Sequence, residues 1–138
     1  MIRNWGLTLV PPSRRKWLDG DQVICKAVSE DHLGAYSLFE MTVAPQAGPP
    51  AHIHHGEGET YYILEGELLI QEGDRTFSVT AGAVVNISKG ILHTFKNVGT
   101  QTARLLVIIT PAWYGKFFEE WVSQQQKPRR HLLLLRKK

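Results

Sequence analysis

The sequence has few of the features expected of a secreted or membrane-embedded protein. Cys25 is the only cysteine among 138 residues, so an intrachain disulfide is impossible and a reducing compartment is expected. The N-terminus has no charged start followed by an apolar run of about seven residues, so no secretory signal is predicted. The apolar runs are also too short to span a bilayer. We therefore expect a cytoplasmic protein.

Positive charge is concentrated at the C-terminal end. Residues 127–138 contain six Lys or Arg and no acidic residue, whereas residues 1–126 contain ten basic and thirteen acidic residues. A basic tail could contact nucleic acid or an anionic membrane. We favour a frayed or packed terminus instead, because the rest of the chain lacks the interleaved aromatic and basic residues of a nucleic-acid-binding surface. Neither nucleic acid nor a membrane is expected as a partner.

Short apolar segments alternate with turn-forming residues from Tyr36 onward. Many short strands at this spacing are typical of an antiparallel sandwich or barrel, and a double-sheet jelly roll fits best. The sequence therefore predicts an all-β fold. The predicted strands are residues 36–43, 51–54, 61–64, 68–71, 76–79, 83–87, 93–97 and 103–110.

The segments on either side of this region have different patterns. Two short strands are predicted near Trp17 and over 23–28, separated by a turn at residues 19–21. After Pro111, aromatic residues recur at spacings of four and predict one helix over 113–125 that packs on the sheet. The expected organisation is an N-terminal arm or outer strands over 1–35, a β-barrel with a C-terminal helix over 36–126, and a basic tail over 127–138.

The residues with the clearest chemical role are four potential metal ligands. On an extended strand His52 and His54 point to the same side, while Ile53 faces away. Glu59 follows after a glycine-rich turn, and His93 begins a later strand. Three imidazoles and one carboxylate suit one divalent ion of Fe, Mn, Co, Ni or Zn, without choosing among them. The alternative is that these histidines are surface or hydrogen-bonded core residues.

The same residues resemble the two sequence motifs of the cupin superfamily. The first motif is matched by His52, His54, Glu59 and Gly66, and the second by Gly82, Gly90, His93 and Asn97. Gly48 only approximates the first glycine of the family pattern, and Ser88 replaces its proline. The resemblance covers roughly residues 36–110 and implies a double-stranded β-helix (jelly-roll) barrel with a metal site. N-terminal arms of related cupins often complete a neighbour's sheet, which implies a homodimer.

Strand parity also indicates which side chains could form a substrate pocket. If His52 and His54 face inward, Phe95 lies on the side of His93, and Tyr61 and Ile63 lie on the side of Glu59. The strand 36–43 presents either Phe39 and Met41 or the opposite set of residues. The candidate pocket residues are therefore Tyr61, Ile63, Phe95, Phe39 and Met41, and they would suit a small apolar or aromatic ligand.

Three functions are compatible with these residues. Within the superfamily the stretch around His52 is most similar to small quercetin dioxygenase-like cupins, which implies a metal-dependent dioxygenase or oxidoreductase acting on an enolisable substrate. In that case Glu59 would alternate between metal ligand and general base. A non-redox isomerase, cyclase or lyase could use the metal as a Lewis acid. A module that only binds a small molecule is the third possibility, because a fold does not fix a function.

Overall fold

The computed structural model describes residues 34–111 without a break, together with residues 2–4, 7–9, 14–18 and 21–27. These ranges contain strands and turns, and none of them forms a helix long and apolar enough to cross a membrane. The helix expected over 113–125 and the tail over 127–138 lie outside the described residues. The strands are β1 (Ile2–Asn4), β2 (Leu7–Leu9), β3 (Arg14–Leu18), β4 (Asp21–Ala27), β5 (Ser37–Val43), β6 (Gly58–Glu65), β7 (Glu67–Glu72), β8 (Arg75–Thr80), β9 (Val84–Ile87), β10 (His93–Lys96) and β11 (Ala103–Thr110).

Nine of the described strands form two antiparallel sheets. The larger sheet has the order β3-β4-β5-β11-β6-β9, and the smaller has the order β10-β7-β8. Among the described strands, β1 and β2 form a separate two-stranded sheet. The all-β prediction is therefore confirmed for the described part of the chain. The predicted N-terminal strands appear as β3 and β4, which extend one edge of the larger sheet.

The two sheets share one hydrophobic core. Burial alternates along β5 and β11, so every second side chain of these strands points inward. Phe39 and Met41 belong to the inward set, which settles the choice that the sequence left open. Phe39 of the larger sheet and Ile70 and Phe95 of the smaller sheet join the same cluster.

The prediction of a regular strand over 51–54 is wrong. This segment makes a single isolated bridge, in which His52 and His93 each donate a backbone hydrogen bond to the other residue. Pro49 and Pro50 immediately precede it, and proline has no N–H with which to continue a ladder. The predicted parity nevertheless holds, because Ile53 is 40% exposed while the residues on either side of it are partly buried.

The loop over 44–50 packs directly on β10. Three hydrogen bonds join the two segments: Gln46 N donates to Asn97 O at 2.7 Å, Asn97 N donates to Ala47 O at 2.9 Å, and Thr94 Oγ1 donates to Pro49 O at 2.6 Å. A Cβ atom on Gly48 would overlap the carbonyl oxygen of Phe95. Because Phe95 lies two residues after His93, this loop contributes to the position of the second predicted ligand motif.

Candidate metal centre

The four predicted ligands meet at one point. One ligand atom from each of His52, His54, Glu59 and His93 lies within 4.8 Å of all the others. Bonds of about 2.0–2.2 Å from nitrogen or oxygen to a metal such as zinc place opposite ligands up to about 4.4 Å apart. The cluster could therefore hold one metal ion after shifts of a few tenths of an ångström.

The ligands come from both sheets. His93 opens β10 of the smaller sheet, and the bridge to His52 brings the first histidine motif beside it. Glu59 is the second residue of β6 in the larger sheet, where it faces inward. Glu59 and His93 are only 6% and 1% exposed, whereas His52 and His54 are partly buried. His52 and His54 therefore form the more exposed side of the cluster.

Backbone carbonyl groups fix the orientation of two imidazoles. Nδ1 of His52 donates to Pro50 O at 2.7 Å, and Nδ1 of His93 donates to Ile91 O at 2.8 Å. A carbonyl oxygen can only accept, so the Nδ1 atom of each ring carries a proton. In the neutral ring, Nε2 then has a free lone pair directed at the cluster. This is the tautomer that a metal ligand requires.

The Glu59 carboxylate lies between His54 and His93. Its Oε2 atom is 2.8 Å from His54 Nε2 and 3.3 Å from His93 Nε2. Burial alone would raise the pKa of Glu59, but hydrogen bonds from His54 and His93 outweigh burial and lower it. The carboxylate is therefore ionised at neutral pH, which is the state that binds a cation.

The pKa values of His52 and His93 are shifted in opposite directions. Burial lowers the pKa of His52 to about 4, so this ring is neutral at physiological pH. Burial also opposes charge on His93, but the hydrogen bond to Glu59 and its charge outweigh burial and raise the pKa of His93. A proton on His93 Nε2 would occupy the direction of a metal bond, so metal and proton compete for this ring.

One further observation indicates that the cluster fits a metal. Nε2 of His52 is buried and has no hydrogen-bond partner among the described residues. Buried polar atoms without a partner are uncommon, because each costs the free energy of its lost hydration. A metal ion at the centre of the cluster would bind this lone pair.

The five predicted pocket residues all lie on the inner face of the barrel. Tyr61, Ile63, Phe95, Phe39 and Met41 are 0–1% exposed and pack in the hydrophobic core. The Tyr61 ring meets the Phe95 ring edge-on at 5.4 Å and lies 6.5 Å from the His93 ring. Burial and then the charge of Glu59 raise the pKa of the Tyr61 hydroxyl well above its ordinary value. Contact of these residues with a substrate stays a prediction.

Sequence reasoning missed two charged residues that lie in one cross-strand row with His93. Glu72 is the register partner of His93 across β7 and β10, and Arg75 is the partner of Glu72 across β7 and β8. Gly73 and Asp74 are typical turn residues and indicate a hairpin. The pairing of Glu72 with Arg75 across this turn could therefore have been predicted from the sequence. Their position in the row of His93 depends on pairing between β7 and β10, which are distant in the chain.

The fold and the site together define a cupin with a candidate metal centre. Residues 39–109 match the cupin domain family. The match covers just over half of the 138 residues, and the chain therefore belongs to this family.

Several relatives resemble parts of this chain. An oxalate-binding protein of Thermotoga maritima is 31% identical over 78 residues, which are 56% of this chain and 64% of that protein, so less than two thirds of the relative is matched. The crystal structure of a predicted oxalate decarboxylase from Thermotoga maritima has 26% identity and a TM-score of 0.64, covering 75% of this chain and 98% of that one. KdgF from Halomonas sp. has a TM-score of 0.65 at 12% identity, covering 72% of this chain and 87% of that one, and shows the fold alone. The narrower likeness to quercetin dioxygenases stays a prediction.

Proposed function

We propose that this cupin binds one divalent transition metal and, through it, a small acid that chelates with two neighbouring oxygen atoms, as oxalate does. The observation that carries the proposal is the convergence of four ligand atoms within 4.8 Å, with a buried and unpartnered His52 Nε2 among them. A bound divalent ion would supply positive charge and open coordination positions for ligand oxygen atoms.

Two observations favour a small ligand over a large aromatic one. Tyr61 and Phe95 below the cluster are 0% and 1% exposed, so the barrel interior beneath the ligands is closely packed. The relative with 31% identity is an oxalate-binding protein, and a structure with 26% identity is a predicted oxalate decarboxylase. We carry this ligand class over to the present chain as part of the proposal.

The protein residues would each have a separate role. His52 and His93 are held by backbone carbonyl groups with Nε2 directed at the centre. Glu59 contributes a negative charge that partly balances that of the ion. Its lowered pKa makes it a weak proton acceptor, so its position supports the ligand role more strongly than the general-base role that the resemblance implies.

Metal content is the first test of this proposal. The parent protein and a His52→Ala, His93→Ala double variant are reconstituted separately with Mn, Fe, Co, Ni and Zn, dialysed, and analysed by inductively coupled plasma mass spectrometry. We expect close to one ion per chain in the parent and loss of that ion in the variant. Calorimetric titration with oxalate should then show binding to the loaded parent and none to the metal-free parent. Negligible metal in both proteins after reconstitution would contradict the proposal.

The dioxygenase predicted from the family resemblance is a second candidate. The observation that favours it is the Tyr61 ring, which lies 6.5 Å from the His93 ring and could contact an aromatic ligand bound above the closely packed interior. An oxygen electrode would distinguish the candidates. Oxygen uptake that requires both the metal and an enolisable compound supports the dioxygenase, conversion of substrate without oxygen uptake supports the non-redox enzyme, and recovery of unchanged ligand supports a binding protein.

A further inference from the structure

A row of four residues crosses the inner face of the smaller sheet and ends at the metal centre. His52 bridges to His93, His93 pairs with Glu72, and Glu72 pairs with Arg75. Directly opposed residues of antiparallel strands are about 5 Å apart, which places the Arg75 backbone about 10 Å from that of His93. An extended arginine side chain reaches about 6–7 Å from its Cα atom. The Arg75 guanidinium can therefore approach a ligand held beside His93.

Neighbouring contacts place Arg75 on the same face as the metal ligands. Phe77 and Val79 lie two and four residues later on β8, and both pack against the hydrophobic core. Residues two apart in a strand share a face, so Arg75 faces the same side. Its Cζ atom lies 5.8 Å from the centre of the Phe77 ring.

The Arg75 guanidinium is held only loosely in place. Its Nη2 atom lies 3.0 Å from Glu72 Oε1, and 71% of the arginine side chain is exposed. An ion pair this exposed contributes little free energy, because water screens it and both side chains lose entropy. Arg75 also lines an open groove of about 280 Å³ with Thr76 and Phe77. A second carboxylate could therefore replace Glu72 at small cost.

The other positively charged residues that the structure describes are less well placed to contact a ligand at the metal centre. Lys26 and Arg104 pair with Glu40 on the outer face of the larger sheet. Lys96 is buried, but it follows Phe95 and therefore points to the opposite face of β10 from His93. Lys89 is exposed in the turn before β10 and is the remaining cation near the cluster.

We propose that Arg75 determines ligand specificity by binding the outer carboxylate oxygen atoms of a small dicarboxylate or keto acid held at the metal centre, with Phe77 supporting the guanidinium. This inference rests on the proposed function and adds the ligand class, an acid in preference to a neutral chelator. The planar guanidinium can donate two parallel hydrogen bonds to a carboxylate, which a lysine cannot do. Glu72 holds Arg75 in place until the ligand arrives.

The test compares two probes on the metal-loaded protein. Oxalate chelates and leaves carboxylate oxygen atoms directed outward, whereas maltol chelates through two oxygen atoms and has no carboxylate. Calorimetric titrations of the parent, Arg75→Gln and Arg75→Lys would be made at one fixed ionic strength. We expect Arg75→Gln to weaken oxalate binding about tenfold or more while maltol binding changes less than about twofold, and Arg75→Lys to restore part of the loss. Removal of the competing carboxylate in Glu72→Gln should leave oxalate binding unchanged or tighter.

Matched variants separate this inference from the proposed function. Arg104→Gln removes a guanidinium that also pairs with glutamate, but on the outer face, and should change neither probe. Unchanged oxalate binding in Arg75→Gln, or a loss in Lys89→Gln instead, would overturn the role of Arg75 and leave the metal-chelate proposal intact. If Arg75→Gln lost equal affinity for both probes and also bound less metal, Arg75 would have a structural role, and its proposed role in specificity would be overturned. Failure of the loaded parent to bind either probe would overturn the proposed function and this inference together.

Discussion

His52 and His93 are joined by a pair of backbone hydrogen bonds. His52 N donates to His93 O at 3.0 Å, His93 N donates to His52 O at 2.9 Å, and the two imidazole centroids are 4.4 Å apart. The two histidine motifs are thus connected through the main chain, independently of their side chains. Substitution of a ligand side chain should therefore reduce metal binding without unfolding the barrel.

The first prediction concerns the carboxylate ligand. Glu59→Gln should weaken metal binding by roughly 10- to 100-fold or more, because a neutral amide oxygen is a poorer ligand for a cation than an ionised carboxylate. The affinity would be measured by competition with a chromophoric chelator near pH 7.5. Glu67→Gln, at an exposed position of β7, is the control and should bind metal as the parent does. Equal affinities of Glu59→Gln and the parent would remove Glu59 from the ligand set.

The second prediction is a loss of stability of the metal-free protein in mild acid. Burial lowers the pKa of His52 from its ordinary value of 6.5 to about 4. Between these values the unfolded chain binds a proton that the folded chain does not, so stability is lost as the pH falls through this range. Glu59, also with a lowered pKa, acts in the same direction at lower pH. His93, with a raised pKa, stabilises below pH 6.5 and loses that contribution as the pH rises through its folded value.

Urea unfolding of chelator-treated protein between about pH 4.5 and 8 would measure this dependence. The charged or titratable groups facing His52 are His54, Glu59 and His93. His52→Gln removes the group with the largest expected effect in mild acid, so its stability should fall less steeply below pH 6.5 than that of the parent. Identical slopes for the two proteins would show that another group causes the acid sensitivity.

The third prediction concerns the Tyr61 hydroxyl, which is buried, lies near the Glu59 carboxylate and makes no hydrogen bond of normal geometry among the described residues. A buried hydroxyl with no partner loses about 1–3 kcal/mol of hydration free energy. Tyr61→Phe should therefore leave the metal-free protein equally stable or stabilise it by up to about 1 kcal/mol, as measured by urea unfolding. Marked destabilisation would mean that the hydroxyl has a structural partner, such as the nearby Glu59 carboxylate or a buried water molecule.

Features that depend on local periodicity were predictable from the sequence. The predicted strand 103–110 has the same bounds as β11, because residues 105–109 form a short apolar run bounded by Gly99 on one side and Pro111 on the other. The four candidate ligands were predicted from the spacing of His52 and His54 and from the agreement of both motifs with the cupin pattern. The structure brings these four residues together.

Features that depend on contacts between distant segments were not predictable. The segment 51–54 alternates like a strand, but Pro49 and Pro50 before it limit its pairing to one bridge. Glu72 and Arg75 were not singled out from the sequence, since nothing in the local sequence specifies the register between β7 and β10. That register places them in the row of His93.

The fourth prediction concerns Gly48, in the loop that packs on β10. An added Cβ would overlap the Phe95 carbonyl oxygen and lie 3.1 Å from the Lys96 Cα atom, and both contacts are with backbone that cannot rotate away. The loop cannot withdraw easily either, because Gln46 N donates to Asn97 O at 2.7 Å and Asn97 N donates to Ala47 O at 2.9 Å. Gly48→Ala should therefore destabilise the protein by about 1–3 kcal/mol, the usual range for overpacking.

Gly56→Ala provides a matched control for Gly48→Ala. Gly56 lies between two of the predicted ligands, but a Cβ there meets no atom within 4 Å, so its unfolding free energy in urea should change by less than about 0.5 kcal/mol. Because β10 carries His93, the displaced backbone in Gly48→Ala should also weaken metal binding, whereas Gly56→Ala should not. Equal stability and equal metal affinity of the two variants would mean that the loop over 44–50 does not hold β10 in position. The glycine before the histidine motif would then have no structural role in the metal centre.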